Sequence, residues 1–420
     1  MALPDNPKMA TATSSRNVAA RGRFGLEAEI AREHRQVASR HFRPWAVAIL
    51  ALAFALSSCG LAHSGAARRL PRGTSAQTSV MSELLSAVSC PGRGRCVAVG
   101  SSGKETLVLV EQGGRWLPLP GEVRGSLRSV SCPTEGWCLA VGSGPGEHAL
   151  VMRIEESRLA RAAFPDPRGL SEASSVSCVA VGRCVVSEYS MSSSSTETRS
   201  SILALAEGHW RAVWTSLHIG VDDLFCRRLD CIGVGTSGAS AVSISGLTGA
   251  LVLTLGAGHV SVKRVPGQEL LAVSCGAADS CFAIGDISPT PQRDLPIGAV
   301  LSAGGWQSAP VRLPRSEGLS GISCVGVHFC VAAGGSDAST PVLVQSVGHG
   351  WRAAHLPRLT WMSGRLPRPG WFSGVSCVTA RWCVAVGRAL YVMAKPKSRT
   401  VDRAMIAVLQ DGRWSWSVLP

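Results

Sequence analysis

Fourteen of the chain's fifteen cysteines fall into seven close pairs, and each pair sits inside the same short phrase. The phrase reads Val88-Ser-Cys90, five residues, then Cys96-Val-Ala-Val-Gly100 in its first copy, and Val375-Ser-Cys377 to Cys383-Val-Ala-Val-Gly387 in its last. Between them lie Cys132 and Cys138, Cys178 and Cys184, Cys226 and Cys231, Cys275 and Cys281, and Cys324 and Cys330. Successive first cysteines are 42, 46, 48, 49, 49 and 53 residues apart. A unit of roughly 40–50 residues repeated along a chain is the sequence form of a propeller or a solenoid.

Aligned on the cysteines, each unit has four parts. Part A is a short apolar run ending at the first cysteine, such as Leu127-Arg-Ser-Val-Ser-Cys132, and part B starts at the second, as in Cys138-Leu-Ala-Val-Gly142. Part C is β-rich, as in Leu107-Val-Leu-Val110 or Met405-Ile-Ala-Val-Leu409. After a polar or glycine turn comes part D, often opening with Trp and closing with Leu-Pro, as in Trp116-Leu-Pro-Leu-Pro120. Short β-branched runs bounded by Gly, Ser, Pro and Asp are strand and hairpin signals. Four antiparallel strands in each of seven units predict an all-β, seven-bladed β-propeller over residues 81–420. The blades are expected near 82–120, 125–166, 171–215, 220–266, 269–314, 317–357 and 371–420. A linear solenoid would need atypical capping units, and the first and last units here resemble the middle ones.

The fifteenth cysteine, Cys59, lies outside the repeats, after the apolar run Ala46-Val-Ala-Ile-Leu-Ala-Leu-Ala-Phe-Ala-Leu56 and a basic flank. That run is too short for a spanning helix, which needs about 20 residues, and has the form of a secretory signal. Leu56-Ser57-Ser58-Cys59 resembles the bacterial lipobox, which implies cleavage before Cys59 and acylation of its thiol, holding the protein on a membrane surface. Residues 1–58 then form an N-terminal extension and signal, and 59–80 a flexible tether. Arginine makes up 37 of the 42 basic residues, as in GC-rich genomes, so translation from a valine-type start near Val37 would give a signal of ordinary length. Export makes the paired cysteines disulfides, one per unit: Cys90–Cys96, Cys132–Cys138, Cys178–Cys184, Cys226–Cys231, Cys275–Cys281, Cys324–Cys330 and Cys377–Cys383. A zinc site would need four ligands in one place, and these pairs are spread evenly with no His at ligand spacing. No cofactor or metal is expected.

Trp116, Trp210, Trp306, Trp351 and Trp414 recur at one position of the unit, with Leu159 and Val260 there in units two and four. This is expected of an apolar packing position between blades. Antiparallel connectivity puts the A–B and C–D turns on one face of the disc and the B–C loops and D–A links on the other. The second face carries the irregular segments, where binding residues tend to sit. Its best contact patch is the link between units six and seven, with Trp361, Arg365, Trp371 and Phe372, since aromatic and Arg side chains dominate interface energetics. Tyr189 and Tyr391, the only tyrosines, both fall in B–C loops.

The Gly-x-Trp turn opening part D, as in Asp411-Gly-Arg-Trp414, carries a loose resemblance to secreted bacterial propellers of the sialidase-type (BNR-like) and WD40/YVTN-like repeat families, covering about residues 80–420. For a sialidase the resemblance implies an arginine triad, a Tyr–Glu nucleophile pair and an acid Asp. Glu188 adjoins Tyr189, but neighbours on an extended strand point to opposite sides. The family's Ser-x-Asp-x-Gly-x-x-Trp turn is incomplete here, and P-loop, HExxH and GxSxG motifs are absent from the sequence. A hydrolase of glycans would need carboxylates converging with arginines in a cleft, and the loop candidates Glu188, Asp286, Asp294 and Asp402 come from three different blades.

Of the net charge of +14, +10 belongs to residues 59–420, where it is spread over the repeats and forms no basic-aromatic nucleic-acid motif. The sequence therefore predicts an exported, lipid-anchored propeller acting as a cell-surface binding or scaffolding module on the extracellular face of the cell membrane. Its expected partner is an envelope protein or a glycan, with the membrane reached through the lipid anchor, no nucleic acid, and a monomeric state. The alternatives are a secreted form and a glycan-binding or glycan-hydrolysing propeller.

Overall fold

In the computed structural model the described residues are 82–419, apart from 122, 147, 166–171, 192–197, 218, 229, 238–248, 257–258, 266–268, 278–279, 291–292, 303–304, 310, 312–316, 337–339, 348–349, 358–367 and 394–398. Cys59, Trp361 and Arg365 lie outside them, and so do the side chains of Tyr391 and Asp294. Within the described residues the chain is a seven-bladed β-propeller. Seven four-stranded antiparallel sheets follow one another, each built from four consecutive strands in chain order. Blade one, for example, runs Glu83–Ser89, Val97–Ser102, Glu105–Gln112 and Arg115–Pro118. We call the strands of each blade A to D.

Strand A is innermost. The A strands of neighbouring blades touch one another around the whole ring, and that of blade seven (Arg368–Thr379) touches that of blade one. The Val-Ser-Cys phrase owes its form to this position. In six of the seven blades the serine before the first cysteine accepts a hydrogen bond from the first cysteine's N–H of the next blade. The pairs are Ser89–Cys132, Ser131–Cys178, Ser177–Cys226, Ser274–Cys324, Ser323–Cys377 and, closing the ring, Ser376–Cys90, all at 2.8–3.1 Å. Blade four carries Phe225 at the serine position. There Asp223, two residues upstream, accepts from the N–H of Val273 in blade five at 2.9 Å, the bond that Ser129 and Ser175 at the same position of blades two and three accept from Val176 and Leu224.

Each pair of cysteines is joined across the A–B turn, with Cα atoms 3.9–4.1 Å apart in all seven blades. Closing a loop of this length contributes about 2 kcal/mol in the chain-entropy account. Several C–D turns are two-residue hairpins with both central residues left-handed, such as Gly113-Gly114 (φ +60° and +77°) and Asp411-Gly412 (φ +50° and +83°). This geometry matches the twist of the strands it joins.

The core lies between blades. Each hydrophobic cluster of the described residues spans one seam, and the seven clusters account for all seven seams. The recurring part-D position sits in these clusters every time, as Trp116, Leu159, Trp210, Val260, Trp306, Trp351 and Trp414. Trp210 meets Phe164 of the preceding blade edge-on at 5.0 Å and donates its indole N–H to the Ala163 carbonyl at 3.0 Å. Trp351 meets Phe282 in the same way at 5.1 Å.

Candidate functional site at the mouth of the central channel

A strand with ideal alternation would give the channel a plain lining. Here every A strand carries a β-bulge at the residue four before its first cysteine. The residue just upstream of the bulge is core in all seven blades: Leu85, Leu127, Ala173, Val221, Leu270, Leu319 and Phe372 are buried. The bulged residue itself lines the channel in all seven, as Ser86, Arg128, Ser174, Asp222, Leu271, Ser320 and Ser373. A bulge re-aims a side chain without changing the rest of the ladder, and seven of them build a ring of side chains around the lumen. The glycine that closes the Cys-Val-Ala-Val-Gly phrase belongs to the same device. At Gly100, Gly142, Gly235, Gly285, Gly334 and Gly387 a Cβ would lie 1.8–2.0 Å from a carbonyl oxygen of the adjoining A strand. Blade three alone places a side chain there, the buried Glu188.

The channel encloses about 370 Å³ and opens into a mouth of about 490 Å³ lined by Ser86, Ser126, Arg128, Ser174, Tyr189 and Asp222. Ser126 begins an A strand and Tyr189 nears the end of a B strand, so the mouth opens on the face that carries the B–C loops and D–A links. Serine hydroxyls knit the rim. Ser174 Oγ donates to the Val221 carbonyl of the next blade at 2.8 Å, and Ser320 Oγ to the Phe372 carbonyl at 3.2 Å.

The charged groups of the mouth come from blades two to five. Arg128 Nε pairs with Glu172 Oε1, and Tyr189 donates its O–H to Glu172 Oε2 at 2.5 Å. Burial, the bond to Glu172 and the charge of that carboxylate push the Tyr189 phenol up to about 12, so it stays a neutral donor. Asp222 is exposed, and it extends from its bulge into the channel that the seven A strands enclose. That enclosure raises its pKa to about 7; Glu269 and Asp223 add to the rise, and Arg128 opposes it. Asp223 is raised to about 6, by burial again, against the bonds it accepts from Val273 N–H, Ser175 Oγ and Leu224 N–H. The arrangement can donate through Tyr189 and Arg128 and can offer a carboxylate whose charge is only half-established at neutral pH.

Of the residues singled out in the sequence, Tyr189 stands in the mouth. Trp371 is half-buried at the start of the blade-seven A strand. Its ring lies over Gly318 and Gly335 of blade six, and its N–H donates to Ser320 Oγ at 3.1 Å. Phe372 has 0% exposure in the seam between blades six and seven. Tyr391 pairs along the backbone with Val401. Among the loop carboxylates, Asp286 pairs in register with Glu269 and Asp402 lies 3.8 Å from Arg388. Arg128, Glu172, Asp222, Asp223 and Glu269 were not anticipated, because they sit in part A, the most regular part of the repeat. A signal was present: four residues before the first cysteine the units read Ser, Arg, Ser, Asp, Leu, Ser, Ser.

No protein-family model matches the chain, and no curated protein does. Among solved structures it is similar to YCF48 bound to D1 peptide, with TM-score 0.48 and 13% identity over 75% of this chain and 95% of that one. It is also similar to the β-propeller domain of the Trilobed protease from Pyrococcus furiosus, with TM-score 0.48 and 8% identity over 79% of this chain and 96% of that one. U3-55K gives TM-score 0.47 and 12% identity over 73% and 88%. At such identities and scores no function passes from these proteins to this chain.

Proposed function

We propose that this chain is an exported, lipid-anchored β-propeller that acts as a cell-surface binding or scaffolding module, with the mouth of its central channel as the ligand site. The observation that carries the reading is the asymmetry of the mouth. Seven near-copies of one strand line the channel, and blades two to five replace its serines and small residues with Arg128, Glu172, Asp222, Asp223 and Glu269. A rigid scaffold bearing a few convergent polar groups in a concave site is the general form of a binding pocket. Seven disulfides fit an oxidising compartment outside the cytosol, and the anchor reading rests on Leu56-Ser57-Ser58-Cys59.

A second reading, a glycan-binding or glycan-hydrolysing propeller, draws on the same mouth. Asp222 and Arg128 line it, with Glu172 paired to Arg128, and a carboxyl group poised near pH 7 suits proton transfer. It offers one arginine, where the sialidase pattern has three.

Two measurements test the proposal. Growth with labelled palmitate should label the native chain and leave a Cys59→Ser variant unlabelled and released from the membrane fraction. An unlabelled native chain would refute the anchor. Capture from envelope extract should retain a discrete partner on the native protein and lose it on a folded Arg128→Ala/Tyr189→Phe variant. Equal capture by both would move binding away from the mouth. Hydrolysis of a glycan by the native protein but not by Asp222→Asn would establish the second reading.

A further inference from the structure

Four of the seven bulged residues are serines; of the three exceptions, Arg128 stands by itself in blade two, and the adjacent two, in blades four and five, are unlike each other. Asp222 presents a carboxylate and Leu271 an isobutyl group, and both line the channel. Leu271 is half-buried with its remaining surface on the lumen. An apolar side chain next to a carboxylate, in an otherwise polar ring, is a two-part surface with a head site and a stem site.

The carboxylate is not there for the fold. Among the described residues no group donates a hydrogen bond to Asp222, whereas its neighbour Asp223 holds Ser175 Oγ at 2.8 Å and Val273 N–H at 2.9 Å. Glu269 and Asp223 crowd it with like charge. The cation that offsets this crowding, Arg128, is engaged by Glu172. A carboxylate crowded by like charge and aimed into a cavity costs stability, and such departures from local consistency mark functional positions.

The chemistry of the surroundings selects the ligand class. An anion would meet Asp222, Asp223 and Glu269 together. A neutral polyol would leave the charge unbalanced. A divalent metal ion needs several ligands gathered at one point, and among the described residues no group of three His, Cys, Asp or Glu could hold one. An organic cation on a flexible apolar stem fits each part, and the channel space of about 370 Å³ that Asp222 and Leu271 both line lies within the range of small-ligand pockets.

We propose that the channel mouth binds a protonated alkylamine, its ammonium on the Asp222 carboxylate and its methylene stem along Leu271. The amine is supplied either by a free diamine or by a lysine side chain. This rests on the mouth being the ligand site, and the test separates the two ideas. The oxidised full-length chain is titrated calorimetrically with pentylamine, 1,5-diaminopentane, Nα-acetyl-lysine methylamide and, as the uncharged counterpart, 1-pentanol. The variants are Asp222→Asn, Leu271→Ser and, as a control in an exposed C–D turn, Asp411→Asn.

The amines bind the native protein and pentanol does not. Asp222→Asn weakens the amines at least tenfold, Leu271→Ser weakens them by a smaller factor, and Asp411→Asn leaves them unchanged. A preference for the diamine names a free polyamine as the source, and a preference for the lysine derivative names a protein. Asp222→Asn is expected to be more stable than the native chain, so its loss of binding is not unfolding. Absence of amine binding, or affinity indifferent to Asp222→Asn, overturns the proposal. If a panel of carboxylates and monosaccharides then binds and is lost in Arg128→Ala/Tyr189→Phe, the mouth remains the site and only the ligand class is wrong. If such binding ignores all of these variants, the mouth reading falls as well.

Discussion

Asp222 shows how one side chain can set stability against function. Its pKa is raised from the ordinary carboxylate range to about 7, chiefly by enclosure and then by Glu269 and Asp223, with Arg128 opposing. A carboxyl group whose folded pKa lies above its unfolded one stabilises the fold while it is protonated. That contribution is complete below about pH 4 and is lost as pH rises through about 7. Asp222→Asn should therefore raise the thermal midpoint at pH 8, by on the order of 2 °C for each kcal/mol relieved in a domain of this size. The gap between variant and native protein should close as pH falls towards 4. A gap independent of pH would mean that Asp222 is not strained by its charge. The sequence carried part of this: Arg128 and Asp222 break a column of serines that any alignment of the units displays. Their direction was hidden, because alternation on an ideal strand gives no notice of a bulge.

At the scale of the strand, the Val-Ser-Cys phrase was legible as a repeat but not as a device. The cysteines announced the A–B hairpins and the glycine a strand end. Nothing in the repeat marked the serine's role. Its work is between blades, where its hydroxyl accepts the N–H of the next A strand. That role depends on strand A being innermost, which the repeat alone does not reveal. Ser131→Ala leaves the Cys178 N–H without its 2.9 Å partner. The expected cost is about 1–3 kcal/mol, the penalty for orphaning a buried donor. It should appear as a lower urea midpoint and faster hydrogen exchange at the Cys178 amide. Unchanged exchange there would show that the serine is not a clamp. The seam after blade four, with Phe225 in place of serine and Asp223 where blades two and three carry Ser129 and Ser175, is where the repeat rule and the channel chemistry meet.

At the scale of the whole molecule, seven blades could be counted from the cysteines because a unit of this length cannot bury its own apolar faces and must share them with neighbours. The structure puts those shared faces in the seams and closes the ring without exchanging a strand. Among the described residues each sheet holds only its own four strands. Blade one meets blade seven through the Cys90 N–H on Ser376 Oγ at 3.1 Å, the Asp402 N–H on Ser82 Oγ at 3.3 Å, and Arg403 beside Glu83 at 3.5 Å. Topology also divides the disc into a disulfide-clamped face of stereotyped turns and a face where the channel mouth opens. The second was expected to be the binding face, from its irregular loops. The charged cluster instead belongs to the regular inner strands beneath those loops, where repeat symmetry drew attention away from the exceptions. The most direct test of the account is photo-crosslinking in the native host, with a photoreactive residue placed at Ser126 in the mouth or at Val181, 53% exposed on an A–B turn of the opposite face. A discrete adduct is expected from position 126 and none from 181. An adduct from 181 with none from 126 would contradict the account.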